Sequence, residues 1–98
     1  MPRIRSRFLF NHRTKHPSIV FDDLGTKYGY ISITHSKYYK KSKNLPLKVN
    51  PEQGNTTQAY ILPKPYKDKK KAFSPMKKKM RIDPKDRYKI NKVKNRPY

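Results

Sequence analysis

The 98-residue sequence contains no cysteine. That single absence removes disulfides, thiolate nucleophiles and cysteine-ligated zinc together. Acidic residues are scarce, six in all, and no two stand at a spacing suited to paired acid/base catalysis. The three glycines lie apart, so there is no glycine-rich loop to cradle a phosphate. Apolar runs such as Phe8-Leu9-Phe10 and Ile19-Val20-Phe21 fall far short of the roughly 20 residues that span a bilayer. No long stretch carries bulky apolar residues along one helical face, as a membrane-surface helix would. A chain this short supports one small domain with a modest core, which excludes a large enzyme with a deep, enclosed cavity. The expectation is a soluble, cytoplasmic protein with no cofactor, no metal and no membrane partner.

Positive charge is what the sequence has in excess. Lys and Arg number 26, giving a formal charge of +20. Only 33% of residues are hydrophobic, and these include eight tyrosines whose hydroxyls seek water or a partner. The charge is uneven: residues 22–36 are slightly acidic, whereas 67–98 hold 14 bases against 3 acids. Self-repulsion on this scale disfavours a compact state unless a polyanion screens it. Nucleic acid is therefore the leading partner.

Proline, glycine and polar clusters divide the chain into short segments. Met1 to Phe10 is rich in arginine and free of acids, as transit peptides are, but the near-strict alternation of Arg3 to Phe8 reads as a basic N-terminal strand. Ser18-Ile19-Val20-Phe21 follows Pro17 and ends at Asp22-Asp23-Leu24-Gly25, and Tyr28 to Thr34 is β-branched and aromatic. The short polar run between them predicts a hairpin around Gly25. Beyond a Lys-rich loop over 37–43, Leu45 to Val49 reads as an edge strand because of Pro46, and Gln58 to Leu62 as a further short strand. Short strands and turns without a long helix predict a mainly β fold, a small open barrel. Pro63, Pro65 and Pro75 argue against regular structure over most of 63–76. Asp83-Pro84-Lys85-Asp86 reads as a helix start, with Asp86 as a reciprocal capping carboxylate, and Ile90 and Val93 as an apolar stripe on a helix over 83–95. The expected organisation is a β-barrel core over 1–63 and a basic, proline-interrupted extension over 64–98.

Two groups of residues carry chemistry. Lys37-Tyr38-Tyr39-Lys40-Lys41 sets two rings among cations, and Tyr66, Phe73 and Tyr88 lie in the basic C-terminal third. Cations take phosphates and rings stack unpaired bases, which favours single-stranded or looped RNA over duplex. Arg13, Lys43, Lys69, Lys70, Lys71, Lys77, Lys78 and Lys79 join Tyr38, Tyr39, Lys40 and Lys41 as candidate RNA contacts. The second group surrounds the hairpin ends: Lys15, His16, Thr34, His35, Ser36 and Lys37. An imidazole base or acid, with cations beside a phosphorane, is what metal-free RNA cleavage through the 2′-OH requires. His12 and His16 form a poor metal pair, because no carboxylate or cysteine is near them and the local field is cationic.

Residues 15–73 resemble the MazF/PemK-type toxin endoribonucleases, including their ToxN-like branch. Lys15-His16-Pro17-Ser18-Ile19-Val20-Phe21 is similar to the family's first strand, and Tyr30-Ile31-Ser32-Ile33-Thr34-His35-Ser36 to its second, which ends in a Thr/Ser pair. Leu45-Pro46-Leu47 and Gln58-Ala59-Tyr60-Ile61-Leu62 resemble later strands, and Asp68 to Phe73 a family turn. The resemblance implies an SH3-like barrel that cuts single-stranded RNA without metal, leaving a 2′,3′-cyclic phosphate and a 5′-OH. It also implies a masking antitoxin, an acidic protein or an RNA. Under it Thr34 and Ser36 bind or polarise the phosphate, Lys37 matches a lysine after the Thr/Ser pair, and the basic residue beside the first-strand proline falls on His16 or Lys15. The alternative is a non-enzymatic nucleic-acid binder of the small ribosomal or ribosome-associated type.

Overall fold

The structure is a computed structural model, and it describes residues 3–98; the first two residues of the expected 1–63 core lie outside them. Three long antiparallel strands form its centre: β1 (Arg3–Asn11), β2 (His16–Asp23) and β3 (Lys27–Thr34). The predicted hairpin joins β2 to β3. Gly25 supplies the positive φ (84°) that the turn needs, and the Asp23 carboxylate accepts its N–H. The expected N-terminal strand is β1, in which Arg3, Arg5 and Arg7 are exposed and Ile4, Ser6 and Phe8 are half-buried.

Shorter strands extend and curl this sheet. The Lys-rich segment expected as a loop is a small hairpin of β4 (Tyr38–Tyr39) and β5 (Ser42–Lys43). The edge strand expected at Leu45–Val49 is β6 (Leu45–Pro46), and the one at Gln58–Leu62 is β7 (Tyr60–Ile61). β8 (Tyr66–Lys69) and β9 (Phe73–Pro75) follow, separated by a 3-10 turn at Lys70–Ala72. The sheet runs β6-β7-β3-β2-β1-β9, with β8 also paired to β3. The fold is mainly β, a sheet curled into an open half-barrel with one short C-terminal helix.

The proline-rich stretch departs from expectation. β7 and β8 both run antiparallel to β3, one against Ile33 and Thr34, the other against Lys27 to Tyr30. Between them, Leu62 to Pro65 lie opposite only Ile31 and Ser32. Pro63 and Pro65, which have no N–H to donate, sit where the ladder bulges, so they cost no pairing. Leu62 still donates its N–H to the Ser32 carbonyl at 3.1 Å. The segment after residue 63 is thus woven into the barrel rather than appended to it.

The helix completes the core. A 3-10 turn (Pro84–Asp86) leads into α1 (Arg87–Lys94), and Asp83 caps it by accepting the Lys85 N–H at 2.9 Å. Ile90 and Val93 are fully buried with Ile19, Phe21, Ile31, Ile33, Leu47, Ala59 and Ile61. Asp86 does not close a capping box. Its two carboxylate oxygens accept the N–H groups of Lys48 (2.8 Å) and Val49 (3.0 Å), tying the helix start to the residues just after β6. Among the described residues, no helix is long and apolar enough to cross a membrane.

Asp86 is buried and its oxygens serve two backbone donors, so truncation leaves both amides without a partner. Asp86→Ala is expected to lower the unfolding free energy by about 3 kcal/mol, taking roughly 1.5 kcal/mol for each charge-assisted bond. Urea titration followed by circular dichroism measures the change.

Candidate nucleic-acid interface

Because side chains alternate along a strand, β2 and β3 present two unlike faces. Ile19, Phe21, Ile31 and Ile33 face the helix, and the opposite face of β3 offers Tyr30, Ser32 and Thr34 to a cleft of about 350 Å³. His16, at the start of β2, stands on its wall, as do Ser36, Tyr38, Tyr39, Asn44 and Tyr66. Among the described residues, no carboxylate lines this cleft.

Arg13 reaches the cleft because the β1–β2 turn is locked from inside. Asn11 is fully buried, and its Oδ1 accepts the N–H groups of Arg13 (2.8 Å) and Thr14 (3.0 Å). Lys15 takes the left-handed position that closes the turn (φ 62°). Asp68 on β8 then holds the guanidinium: its Oδ2 accepts from Arg13 Nε at 2.6 Å and from Asn11 Nδ2 at 3.1 Å. Burial alone would push the Asp68 carboxyl up. The hydrogen bonds from Arg13, Asn11 and the Lys69 N–H outweigh it and hold the group below the usual carboxylate range. In return, the hydrogen bond and charge of Asp68 make the Arg13 guanidinium still harder to deprotonate. Burial pushes the Tyr30 and Tyr66 phenols upward, so both remain neutral hydroxyls at physiological pH.

Thr34 and Ser36 form a local turn in which the Ser36 N–H donates to Thr34 Oγ1 at 3.1 Å. The Thr34 hydroxyl hydrogen is left free to donate. Asn44 anchors the other side by donating from Nδ2 to the Ser36 carbonyl at 2.9 Å. Tyr38 and Tyr39, at the lip of the cleft, are 58% and 45% exposed, enough to offer ring area for stacking.

Seven of the residues singled out in the sequence converge here: Arg13, His16, Thr34, Ser36, Tyr38, Tyr39 and Tyr66. Three expected beside them do not line the cleft. His35 is turned away, as the neighbour of Thr34 must be, and its Nε2 lies 3.4 Å from Asn50 Nδ2. Lys37 lies over the Tyr38 ring with Nζ 5.8 Å from its centroid, and Lys15 occupies the turn. Lys40 sits over the Tyr39 ring at 5.4 Å, and Lys41 and Lys43 are exposed on the same hairpin. Lys69 and Lys71 are exposed beyond Asp68, whereas Lys70 is paired with Asp23 at 2.7 Å. Lys77, Lys78 and Lys79 are exposed near the 52–56 loop, and Lys78 pairs with Glu52 at 3.0 Å. Asn44, Ser32 and Thr14 belong to the cleft but were not singled out in the sequence. Ser32 had a signal, since it and Thr34 are the polar alternates in a β-branched strand. Asn44 had none.

All six acids are engaged within the chain. Asp22, Asp23, Glu52 and Asp68 form ion pairs with Arg3, Lys70, Lys78 and Arg13, Asp83 caps the helix, and Asp86 binds backbone amides. Among the described residues, 22 of the 26 bases therefore have no acidic partner. No family model matches the chain, and no curated protein or solved structure matches it either.

A carboxyl whose folded pKa is depressed stabilises the fold above its unfolded pKa, and that contribution is lost as pH falls through the folded value. Asp68→Asn should therefore be less stable than the parent near neutrality. The gap between their melting temperatures should close progressively as pH falls below the ordinary aspartate value near 3.9. Thermal melts across that range measure it.

Proposed function

We propose that the protein binds single-stranded RNA in this cleft and cuts it by attack of a ribose 2′-OH on the adjacent phosphorus. One observation carries the reading: an imidazole, an anchored guanidinium, two hydroxyls and two exposed tyrosine rings converge in a cleft without acids, on a chain whose own acids are all engaged. Phosphate is attracted by the unpaired cations, and unstacked bases can lie on Tyr38 and Tyr39. His16 takes the 2′-OH proton, and Arg13 stabilises the charge that develops on the phosphorane oxygens. Thr34 and Ser36 donate hydrogen bonds to the same oxygens. The 5′-oxygen leaves and takes a proton from solvent, so the products are a 2′,3′-cyclic phosphate and a 5′-OH. The toxin endoribonucleases that the strand order resembles would act in this way, and an acidic or RNA antitoxin would mask the same cations.

A second reading is binding without cleavage. It is favoured by the placement of His35 and Lys37 outside the cleft, which leaves one imidazole there instead of two.

One measurement tests RNA as the partner, and a second decides between these readings. For RNA oligomers, log affinity should fall by about 0.7 per log salt for each phosphate contact, and a flat response would remove RNA as the partner. In EDTA the parent should cut a single-stranded RNA, and His16→Ala should slow cleavage by about 10²–10⁴-fold while binding persists. Lys37→Ala should have a smaller effect than His16→Ala. Tight, salt-sensitive binding with intact RNA would establish the second reading.

A further inference from the structure

The cleft uses one face of the sheet, and α1 covers the other. Asp86, Ile90 and Val93 point inward from this segment, so the helical period sends Lys85, Tyr88, Lys92 and Asn95 outward. All four are exposed, and Tyr88 is 75% exposed, the most open large hydrophobic side chain among the described residues. Lys92, one turn on, holds its ammonium 5.5 Å from the Tyr88 ring centroid. Neither Tyr88 nor Lys92 makes a side-chain hydrogen bond or ion pair to another described residue. The acids nearest in sequence, Asp83 and Asp86, are already spent on backbone N–H groups.

A ring, cations and an amide in one stripe, with no free acid beside them, repeat the chemistry of the Tyr38–Tyr39 hairpin on the far side of the molecule. A lone exposed tyrosine is ordinary on a protein surface. What distinguishes Tyr88 is its flanking by Lys85 and Lys92 within a segment, 67–98, that carries 14 bases against 3 acids. Charge complementarity selects a polyanion as the occupant, and the ring selects one with unpaired bases.

We propose that the outward stripe of α1 is a second binding surface for single-stranded RNA, so that one chain bridges two RNA segments, one in the cleft and one on the helix. The inference rests on the RNA reading of the cleft. It adds a site, on an element that contributes nothing to that cleft, and a consequence, which is that the protein brings RNA strands together.

The test uses two short single-stranded 2′-fluoro RNA oligomers, one with a donor dye and one with an acceptor, since without a 2′-OH they cannot be cut by the proposed route. The molecule extends 35 × 29 × 26 Å, so strands held on its two sides lie within energy-transfer range. The full chain should produce energy transfer between the oligomers at a protein concentration where sedimentation shows a monomer. Tyr88→Ala combined with Lys92→Ala should abolish the transfer while changing the affinity for one oligomer less than about threefold. Neither side chain enters the core, so circular dichroism should show the variant folded. Binding of one oligomer without energy transfer in the parent would overturn the bridge and leave the cleft reading intact. Energy transfer that survives in the variant would overturn the assignment to α1. Failure to bind either oligomer would overturn the cleft reading, and this inference with it.

Discussion

A β-strand turns successive side chains to opposite faces, and in β3 that geometry divides the protein in two. Ile31 and Ile33 join the core beneath α1, while Tyr30, Ser32 and Thr34 form the back of the cleft. β3 is paired along both edges, with β2 on one side and with β7 and β8 on the other. Its register is therefore fixed from both directions, and a one-residue slip would exchange the apolar set for the hydroxyl set. The separation of core from site follows from this one constraint. So does the distance between Thr34 and His35, which are adjacent in sequence and on opposite sides in space.

Scarcity of acid is the second organising fact. With 26 bases and 6 acids, each carboxylate is placed where it holds a particular piece of chain. Asp68 joins β8 to the β1–β2 turn and fixes Arg13; Asp86 joins the helix start to the residues after β6. Asp22 gathers both ends of the described chain, accepting from Arg3 at 2.9 Å and from the Tyr98 hydroxyl. The Tyr98 ring lies parallel to Phe21, and Gly29 leaves room for its hydroxyl, since a Cβ there would collide with it. The exposed pairs themselves add little stability. Their effect is to spend the negative charge on contacts within the chain, which leaves most of the cations without an acidic partner.

Much of the fold was legible because its signals are local. The β-branched and aromatic runs at Ile19–Phe21 and Tyr28–Thr34 mark strands, Gly25 marks their turn, and Asp83-Pro84 marks the helix start. β8 and β9 were hidden because prolines usually interrupt sheets, and nothing local shows that Pro63 and Pro65 fall at a bulge. The site was half legible. Residue chemistry identified His16, Arg13, Thr34, Ser36 and the tyrosine pair, but adjacency in sequence also drew in His35 and Lys37. Asn11 and Asp68, which aim Arg13, lie 57 residues apart, and their contact is a product of tertiary structure that no spacing rule conveys. Local spacing marks Asp86 as a cap for its own helix because its actual partners, Lys48 and Val49, are nearly 40 residues away.

The C-terminal third has two duties that its composition sets against each other. It must bury Ile90 and Val93 to close the core, yet it holds more unneutralised charge than any other part of the chain. A helix reconciles them, because a period of 3.6 turns Ile90 and Val93 to the core and leaves the opposite face to water. The long basic side chains also contribute at the margins: Lys89 reaches the Pro46 carbonyl, Lys94 the Ser6 hydroxyl and Arg96 the Pro63 carbonyl, each anchoring the helix to a different strand or loop. Burial lowers the pKa of Lys94, with the charge of Arg3 acting in the same direction, yet its amine stays within reach of Ser6. The cations on the inner rim of α1 are thus committed to the fold, and those on its outer stripe are not. That division makes the outer stripe separable from stability, so a change there reports on what the surface binds rather than on whether the core packs.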